Sequence, residues 1–466
     1  MLNKRKLSVL SALVLIVGVG LASCGPTDET STTSGFEPSV VEFERDDVIN
    51  AFVSEAAKEN GELVIGCSTE DEPFLNQAIA EFKKDIPELK DVTFTINNQV
   101  GEADAYKALQ ADLDEAPDVA LSADDQVMNA ISSSFLSPVP ESLRSKLKTE
   151  ILGTASDAVT ISDKMYGYSA VSGNAQVLLY NKKLISDEDA RSLDKILEIA
   201  KKNNLDFYYP MQEGWYVCCW LWLSGGDMWI EPESKTDPVT GITTVTFAQD
   251  SDFTKEGVTK VAETVNKYFT DWQGTLESCN GTAIQTNLQE GFSKETVIGG
   301  ISWNNYEGIK TAMVNAGFTE EEANETVGIA PLPTVTYDGK TGQLEGFDGY
   351  KVYIVKSNTE RPNTAHLLSY YLTSAKSQLL HFNLRQYIPT NNYVSTLPEV
   401  QSSEVAKALA AQSKFAHSQA KALSAQTGWD QITTFGTTFG VAGTVDSETG
   451  DAAINNLLGA LGAVIE

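Results

Sequence analysis

Apolar stretches of strand length alternate with amphipathic helical patterns from residue 62 onward, and this alternation constrains the fold more than any other feature. The sequence predicts a buried strand at residues 62–67, a helix with one apolar face at 74–82 and a second strand at 92–96. A helix around residues 106–113 and a third strand after Asp118 follow in the same order. Strands separated by helices pair in parallel, so we predict an α/β fold whose loops at the carboxyl edge of the sheet bind ligand.

The chain is too long for a single hydrophobic core, because 466 residues predict two or three domains. Later patterns predict further elements of both kinds. They are helices at residues 46–57, 258–269 and 363–372, strands at 297–301 and 351–355, and an alanine-rich helical stretch at 403–425.

The net charge of −30 excludes a nucleic-acid partner, because no basic stripe is available to neutralise phosphates. It also argues against docking on anionic lipid. The three histidines, His366, His381 and His417, are scattered, and we predict surface or capping positions for them rather than an imidazole active site. No repeat, Walker loop or dinucleotide fingerprint is present in the sequence.

The N-terminal segment has the order of an export signal. Lys4–Lys6 are basic, residues 7–21 are apolar but too few to span a bilayer comfortably, and Leu21-Ala22-Ser23-Cys24-Gly25 follows. Small residues before a cysteine resemble the bacterial lipobox, in which cleavage leaves Cys24 as the lipid-bearing N-terminus. We therefore predict a signal peptide at residues 1–23, and a lipid anchor, tether and leading helix at 24–58. Such a protein is held at the extracytoplasmic face of the cell membrane.

The remaining cysteines, Cys67, Cys218, Cys219 and Cys279, contain no C-x-x-C pair, and no histidine lies near them. Spacing typical of metal ligands is therefore absent, and we predict neither a metal nor a cofactor. Adjacent Cys218 and Cys219 lie in an apolar stretch, which allows either a vicinal bridge or buried free thiols. We favour free thiols.

Residues 210–229 contain four of the seven tryptophans: Trp215, Trp220, Trp222 and Trp229. On one continuous helix Trp215, Trp222 and Trp229 would share a face, and Gly225-Gly226 can end that helix in a left-handed cap. We predict core positions for Trp220 and Trp222, which lie among leucine and cysteine. Trp215 follows Glu213 and Gly214, and an indole beside a carboxylate suits the ring face and edge hydroxyls of a sugar.

Polar side chains follow several predicted strands where the loops of the carboxyl edge begin. Glu70 follows the first strand, Asp124 and Asp125 follow the third, and Trp303 and Asn304 follow the strand at residues 297–301. We predict that these residues line a pocket.

The order of motifs resembles the extracellular solute-binding proteins of ABC sugar importers, family 1, the maltose-binding-protein-like family. The resemblance covers roughly residues 60–435. Its most specific parts are Leu178-Leu179-Tyr180-Asn181-Lys182 and Ala330-Pro331-Leu332-Pro333; Gln212-Glu213-Gly214-Trp215, Gly299-Gly300-Ile301-Ser302-Trp303 and Tyr387-Ile388-Pro389 support it.

The resemblance implies two α/β lobes, joined by crossover hinge segments, that close on a sugar. It places lobe 1 at residues 59–170 and 329–373 and lobe 2 at 171–328 and 374–466. Glu213 then matches a hydroxyl acceptor, and three tryptophans match stacking rings: Trp215, Trp303 and Trp429. Asp124 or Asp125 stands where the family often has an acidic sugar contact, although the basic residue that often follows is replaced by Gln126. Asp348 and Tyr350 supply a further acid and ring.

The sequence leaves other functions open. A surface glycoside hydrolase could use two carboxylates, for example Glu213 and Asp348, although nothing singles out such a pair. An adhesion or sensing lipoprotein is a second alternative, and a binding protein for a polyamine or peptide is a third. We favour a non-enzymatic binding protein with a carbohydrate ligand, expected to be an oligosaccharide, and with ABC permease subunits as partners. We expect it to act as a monomer.

Overall fold

The structure is a computed structural model that describes residues 39–59, 61–161, 163–236, 243–419 and 426–463, without the side chains of 230–248 and 426–427. The predicted signal peptide, Cys24 and the tether before residue 39 lie outside the described residues. In the parts described, no helix is both long and apolar enough to cross a bilayer.

Eighteen strands are present in the described residues. They are β1 (Glu62–Gly66), β2 (Thr93–Asn97), β3 (Val119–Ala123), β4 (Thr160–Ile161), β5 (Lys164–Met165), β6 (Tyr168–Asn174), β7 (Val177–Asn181), β8 (Asp206–Tyr209), β9 (Met228–Thr236), β10 (Thr243–Ser251), β11 (Leu276–Ser278), β12 (Val297–Ser302), β13 (Val327–Ala330), β14 (Thr334–Tyr337), β15 (Lys340–Gln343), β16 (Gly346–Val355), β17 (Ile388–Pro389) and β18 (Ala416–Ser418).

The same parts of the chain contain eighteen α-helices. They are α1 (Asp47–Ala56), α2 (Glu72–Asp85), α3 (Ala105–Ala111), α4 (Asp124–Ser132), α5 (Glu141–Glu150), α6 (Gly153–Asp157), α7 (Leu193–Asn203), α8 (Gly214–Leu221), α9 (Lys255–Asp271), α10 (Gly281–Lys294), α11 (Tyr306–Asn315), α12 (Glu320–Thr326), α13 (Pro362–Leu372), α14 (Ala375–Arg385), α15 (Pro398–Ser402), α16 (Glu404–Gln412), α17 (Gln426–Phe439) and α18 (Ser447–Ala460).

The first sheet has the strand order β17-β6-β16-β3-β1-β2, with β18 added beside β16. Strand β1 pairs in parallel with β2 and β3, as the alternation of strands and helices predicts. Strand β16 runs antiparallel to β3 and β6, so the sheet is mixed. Its core includes Leu63, Ile65, Val119 and Val352, all fully buried. We call this sheet and the helices on its core the first lobe.

The second sheet has the order β11-β8-β12-β7-β13. Strand β8 pairs in parallel with β11 and β12, whereas β7 runs antiparallel to β12 and β13. Its core includes Leu179, Phe207, Trp220 and Ile301, again fully buried. We call this sheet and its helices the second lobe.

The chain passes between the two sheets more than once, which gives the two-lobed fold that the resemblance implies. It crosses at residues 175–176 between β6 and β7, and it returns through residues 331–345 between β13 and β16. Helix α16 then buries Val405 and Leu409 in the core of the second lobe. Trp303 packs against both cores, which places it at the junction of the lobes.

The local patterns explain most of the elements. Helix α1 begins at Asp46, whose side chain accepts a hydrogen bond from the backbone N–H of Ile49, and it buries Ile49 and Val53 on one face. Helix α9 begins in the same way at Thr254. The predicted helices and strands up to β3 are confirmed with shifts of a few residues at their ends.

The tryptophan-rich stretch does not form one continuous helix. Helix α8 ends at Leu221, one 3-10 turn follows, and Gly225 has a φ of +81°, so the predicted left-handed cap is confirmed. Trp229 lies in strand β9 and therefore shares no helix face with Trp215 and Trp222. Trp220 and Trp222 are buried, as predicted.

The alanine-rich stretch at residues 403–425 is not helical throughout. Helix α16 ends at Gln412, and residues 416–418 form β18, which pairs in parallel with β16. Here strand pairing overrides the helix propensity of alanine. The prediction of surface or capping histidines is wrong for His366 and His381, which are each 3% exposed, and His417 lies in a strand.

The predicted lobe boundaries stay a prediction, and one of them differs from the strand pairing. Residues after 373 are predicted to belong to the second lobe. Strand β17 nevertheless pairs with β6 in the first sheet, and α14 packs against α2. Buried contacts of Phe74 with His381 hold α14 there, and the sequence pattern of α14 alone carries no sign of its partner.

Candidate functional site

Glu213 stands immediately before α8, and its carboxylate lies against the first residue of another helix. The backbone N–H of Gly281, at the start of α10, donates a hydrogen bond to it, and a Cβ at position 281 would collide with the carboxylate. A helix N-terminus favours such an anion. The Glu213 side chain is exposed to solvent. Partial burial raises the pKa of its carboxyl, while the N–H of Gly281 and the charge of Lys107, carried by the first lobe, oppose the shift.

Trp215, two residues later, is half-buried and held on several sides. Its Nε1–H donates to Oε1 of Gln419 at 3.1 Å. Its ring stacks nearly parallel on Phe347, at 6.3 Å between centres and 20° between planes, and Tyr216 meets it edge-on at 4.8 Å. These contacts fix one orientation of the indole.

Trp429, on α17, lies beside the same turn. Its backbone oxygen and ring approach Gly214 so closely that a Cβ at position 214 would stand 2.8 Å and 3.1 Å from them. Its ring meets Phe347 edge-on at 5.9 Å, and its side chain donates a hydrogen bond to Asp125. The structure therefore brings together Trp215 and Trp429 of the second lobe and Asp125 of the first.

Asp125 is 4% exposed and receives several hydrogen bonds. Nε2 of Gln419 donates to its Oδ1 at 3.0 Å, and Nε2 of Gln126 donates to its Oδ2 at 2.7 Å. Burial raises the pKa of Asp125, and the hydrogen bonds from Gln419, Gln126 and Trp429 offset part of that shift.

Asp124, the next residue toward β3, is fully buried and has no hydrogen-bond partner of good geometry for either oxygen. Burial, followed by the like charges of Asp125 and Asp348, raises its pKa well above the ordinary value, while the backbone N–H groups of Tyr350 and Asp125 partly offset this. Burial also raises the pKa of Asp348. Tyr350 is 6% exposed, and its hydroxyl donates to Oγ1 of Thr154 at 2.7 Å.

Trp303 directly follows β12 and faces a cation of the first lobe. Nζ of the buried Lys351 lies 5.1 Å from the centre of the Trp303 ring and 4.4 Å from that of Tyr387. The hydroxyl of Tyr216 lies beside Ser302 and the backbone N–H of Trp303, and the charge of Glu213 acts on Tyr216. Tyr216 therefore lies between Glu213 and Trp303.

A narrow cavity lies at the junction of the lobes. It is lined by Trp303, Asn304, Lys351, Tyr387, Ile388, Leu409 and residues 171–175. Asn304 is 8% exposed; its Nδ2 donates to the carbonyl oxygen of Gln386 at 3.3 Å, and its Oδ1 accepts from the backbone N–H of Tyr306. Its side chain is therefore already engaged within the protein.

Glu70 lies apart from the tryptophans, exposed in the loop between β1 and α2. Its charge raises the pKa values of Arg385 and Cys67, although burial has the largest effect on each. The next residue, Asp71, is 1% exposed and faces His381 and Arg385 at 3.4 Å. Burial alone would raise the pKa of Asp71, but these two groups and Lys351 hold it below its usual range.

The cysteine prediction agrees with the structure. Cys67, Cys218, Cys219 and Cys279 are buried free thiols, and no bridge joins Cys218 to Cys219. Across the described ranges, no group of three or more His, Cys, Asp or Glu side chains could hold a metal ion.

Sequence reasoning missed several residues that shape the site. Gln419, Lys351 and Tyr387 lie among the predicted ligand residues, and Phe347 packs between Trp215 and Trp429. Tyr387 belongs to the motif Tyr387-Ile388-Pro389, which is a usable signal. Gln419 lies in an alanine-rich stretch and gives no local signal.

Comparisons with known proteins agree with this architecture. A galactooligosaccharide-binding protein of Bacillus subtilis (strain 168) is 22% identical over 424 residues, which are 88% of this chain and 86% of the relative. The GacH receptor of Streptomyces glaucescens, solved unliganded and with acarbose, has a TM-score of 0.68 at 16% identity and covers 86% of this chain and 98% of its own. The maltose/maltodextrin-binding domain MalE of Bdellovibrio bacteriovorus, bound to maltotriose, has a TM-score of 0.66 at 16% identity. The match covers 85% of this chain and 99% of that domain.

Two α/β lobes with aromatic rings and carboxylates at their junction define a two-lobed, periplasmic-binding-protein-like fold. The chain belongs to the bacterial extracellular solute-binding protein family, whose sequence profile matches residues 77–408. The resemblance found in the sequence is confirmed at this level. The family and the similar structures are binding proteins rather than enzymes.

Proposed function

We propose that this protein captures a sugar or oligosaccharide between its lobes and delivers it to an ABC permease. The observation that supports the proposal is a set of contacts across the lobes: Trp429 and, through Gln419, Trp215 are linked to Asp125 of the opposite lobe. Glu213 lies beside these two tryptophans, and Trp303 lies near it beyond Tyr216. The printed name of the Bacillus subtilis relative, which spans most of both chains, supports carbohydrate as the ligand class.

The chemistry of these groups suits a carbohydrate. Carboxylates accept hydrogen bonds from neighbouring hydroxyls, and indole faces cover the C–H faces of a sugar ring. The proposed contacts are Glu213, Trp215, Trp303, Asn304, Trp429, Asp124, Asp125, Asp348 and Tyr350, with Glu70 at the outer edge. A cleft that excludes water penalises a ligand lacking a matching hydroxyl, because the buried acceptor then stays unpaired.

The proposal includes a location and a way of working. A lipid on Cys24 would hold the protein at the outer face of the membrane, beside the permease. Closure of the lobes would retain the ligand, and reopening at the permease would release it. The ligand can favour the closed state only by its higher affinity for that state.

A thermal-shift screen over mono- and oligosaccharides, with polyamines as a separate arm, tests the ligand class. We expect an oligosaccharide to raise the melting temperature, and Trp215→Ala and Trp303→Ala each to abolish that shift without unfolding the protein. Trp272→Ala is the matched control, because Trp272 is also partly buried but packs under Lys201 away from the cleft. A shift with polyamines alone would overturn the carbohydrate proposal.

We also propose that the ligand leaves chemically unchanged. Incubation with the oligosaccharide that binds should produce no new reducing ends. New reducing ends that disappear in Glu213→Gln would instead support a hydrolase.

A further inference from the structure

We propose that Gln419 and His417 are positioning residues of the cleft: Gln419 holds Trp215 and Asp125 in place across the lobes, and His417 holds the short strand that directly precedes Gln419. This inference rests on the proposed function for its effect on binding. Its effect on the position of Trp215 can be measured in the ligand-free protein and does not depend on that function.

The amide of Gln419 lies between the two lobes and is 2% exposed. Its Nε2 donates to Oδ1 of Asp125, on α4 of the first lobe, at 3.0 Å. Its Oε1 accepts from Nε1–H of Trp215, on α8 of the second lobe, at 3.1 Å, and from Nδ2–H of Asn174 at 3.3 Å. One side chain therefore joins a carboxylate and an indole from opposite lobes.

An amide suits this position because it carries a donor and an acceptor on one rigid group. Asp125 needs a donor, and Trp215 offers only a donor. A methionine or leucine of similar size would leave the Trp215 N–H without its acceptor and would remove one of the donors to Asp125. Loss of Gln419 should therefore free the Trp215 ring to turn and should leave the buried Asp125 carboxylate with fewer donors.

Gln419 is held by a very short strand. Strand β18 has three residues and pairs with β16 from Gly346 to Asp348. A strand of that length gains little from pairing alone, so further contacts must fix it. His417, in the middle of β18, supplies them.

The imidazole of His417 is bound on both edges and on one face. Its Nδ1 lies 3.0 Å from Oδ1 of Asp227, and its Nε2 lies 2.6 Å from Oε2 of Glu345. Its ring stacks on Trp222 at 4.1 Å with 4° between planes. Trp222 in turn meets Phe347 edge-on, and Phe347 stacks on Trp215. Trp222, which stacks on His417, is therefore connected through Phe347 to the ring of Trp215.

The charged groups facing His417 are Asp227, before β9, and Glu345, before β16; Trp222 is uncharged. Burial would lower the pKa of His417, but the hydrogen bonds and charges of the two carboxylates raise it to about 9. The imidazolium is therefore present at neutral pH and is lost as the pH rises through about 9, and with it the two ion pairs.

The first test uses the ligand-free protein and the ¹⁵N–¹H signal of the Trp215 indole, assigned with Trp215→Phe. We expect the signal to move in Gln419→Met and in His417→Gln at pH 7. In the wild type it should move the same way between pH 7 and pH 10, whereas in His417→Gln it should stay constant over that range. Gln401→Met is the matched control, because Gln401 is exposed and its side-chain amide donates to the carbonyl of Ser395.

The second test is titration with the carbohydrate found in the thermal-shift screen. Gln419→Met should weaken binding by about three- to tenfold, the effect expected for one lost buried hydrogen bond. Gln401→Met should bind like the wild type. An unmoved Trp215 signal in Gln419→Met, or unchanged affinity in that variant, overturns the proposal. A wild type that binds no carbohydrate overturns the proposed function instead, and the indole signal still decides the positioning role.

Discussion

Nζ of Lys351 lies 5.1 Å from the centre of the Trp303 ring, so a buried ammonium of the first lobe faces an indole of the second. The same Nζ donates to Oε1 of Glu102 at 2.5 Å and to the hydroxyl of Tyr387 at 2.9 Å. Burial disfavours the charge, but Glu102, Tyr387 and Asp71 hold the pKa of Lys351 above its ordinary value. The lysine thus stays charged beneath the ring.

Lys351→Met should destabilise the protein by about 3 kcal/mol, the lower end for breaking a buried ion pair. The lower end applies because the side chain of Glu102 is 24% exposed and can still reach water. Urea unfolding measures the change. Lys195→Met is the control: its pair with Glu198 is exposed and screened by solvent, so its loss should change the unfolding free energy far less. Equal effects of the two substitutions would contradict the buried role of Lys351.

Asp124→Asn should stabilise the protein at pH 8 by about 1–2 kcal/mol, because it removes a buried carboxylate with no well-placed partner. Since burial raises the pKa of Asp124, the folded chain binds that proton more tightly than the unfolded chain. Stability from this group is therefore lost as the pH rises above the ordinary carboxyl range.

The measurement is urea unfolding of the wild type and Asp124→Asn at pH 4, 6 and 8. The increase in unfolding free energy caused by Asp124→Asn should become smaller toward pH 4. The exposed Asp451→Asn should stay within about 0.5 kcal/mol of the wild type throughout. No gain at pH 8 would mean that Asp124 is better stabilised than its contacts indicate.

His366 should make the protein sensitive to acid. It is buried between Oγ of Ser137, 3.0 Å from Nε2, and the hydroxyl of Tyr168, 2.9 Å from Nδ1. Burial lowers its pKa from 6.5 to about 4. The unfolded chain then binds the proton more readily, so stability falls as the pH drops from 6.5 toward 4, by about 3 kcal/mol in total.

Unfolding free energies of wild type and His366→Gln at pH 7 and pH 4 check this. The variant should lose about 3 kcal/mol less than the wild type over that interval. The pH dependence that His417 contributes has the opposite sign. Its raised pKa adds stability that is lost as the pH rises from 6.5 through about 9, so His417→Gln should lose less unfolding free energy than the wild type over that range. If the wild type and His366→Gln lost the same unfolding free energy between pH 7 and pH 4, His366 would not be the source of the acid sensitivity.

The four internal cysteines should be unreactive in the folded protein. Burial raises the pKa of Cys67, Cys219 and Cys279 to about 12 and raises that of Cys218 well above its ordinary value, so hardly any thiolate forms at pH 8. In a Cys24→Ala chain, a disulfide reagent should detect almost no thiol before unfolding and four afterwards. Two thiols after unfolding would indicate a bridge between Cys218 and Cys219.

The sequence by itself determined the elements whose signal is local. Alternating strands and helices gave the α/β class, the spacing of apolar residues located helices such as α1 and α9, and Gly225 marked the end of the tryptophan helix. Together with the motif order, these features identified the family. Burial of Trp220 was also predictable, because its neighbours are apolar.

Only the tertiary structure decided which of these elements meet. Gly281 receives the carboxylate of Glu213 although 68 residues separate them, and Gln419 reaches Asp125 across 294 residues. Residues 416–418 became a strand because β16 offered an edge for pairing, which outweighed a helical composition. Periodicity and propensity report how a segment folds locally, whereas the partners of a side chain depend on chain crossings that no short stretch encodes.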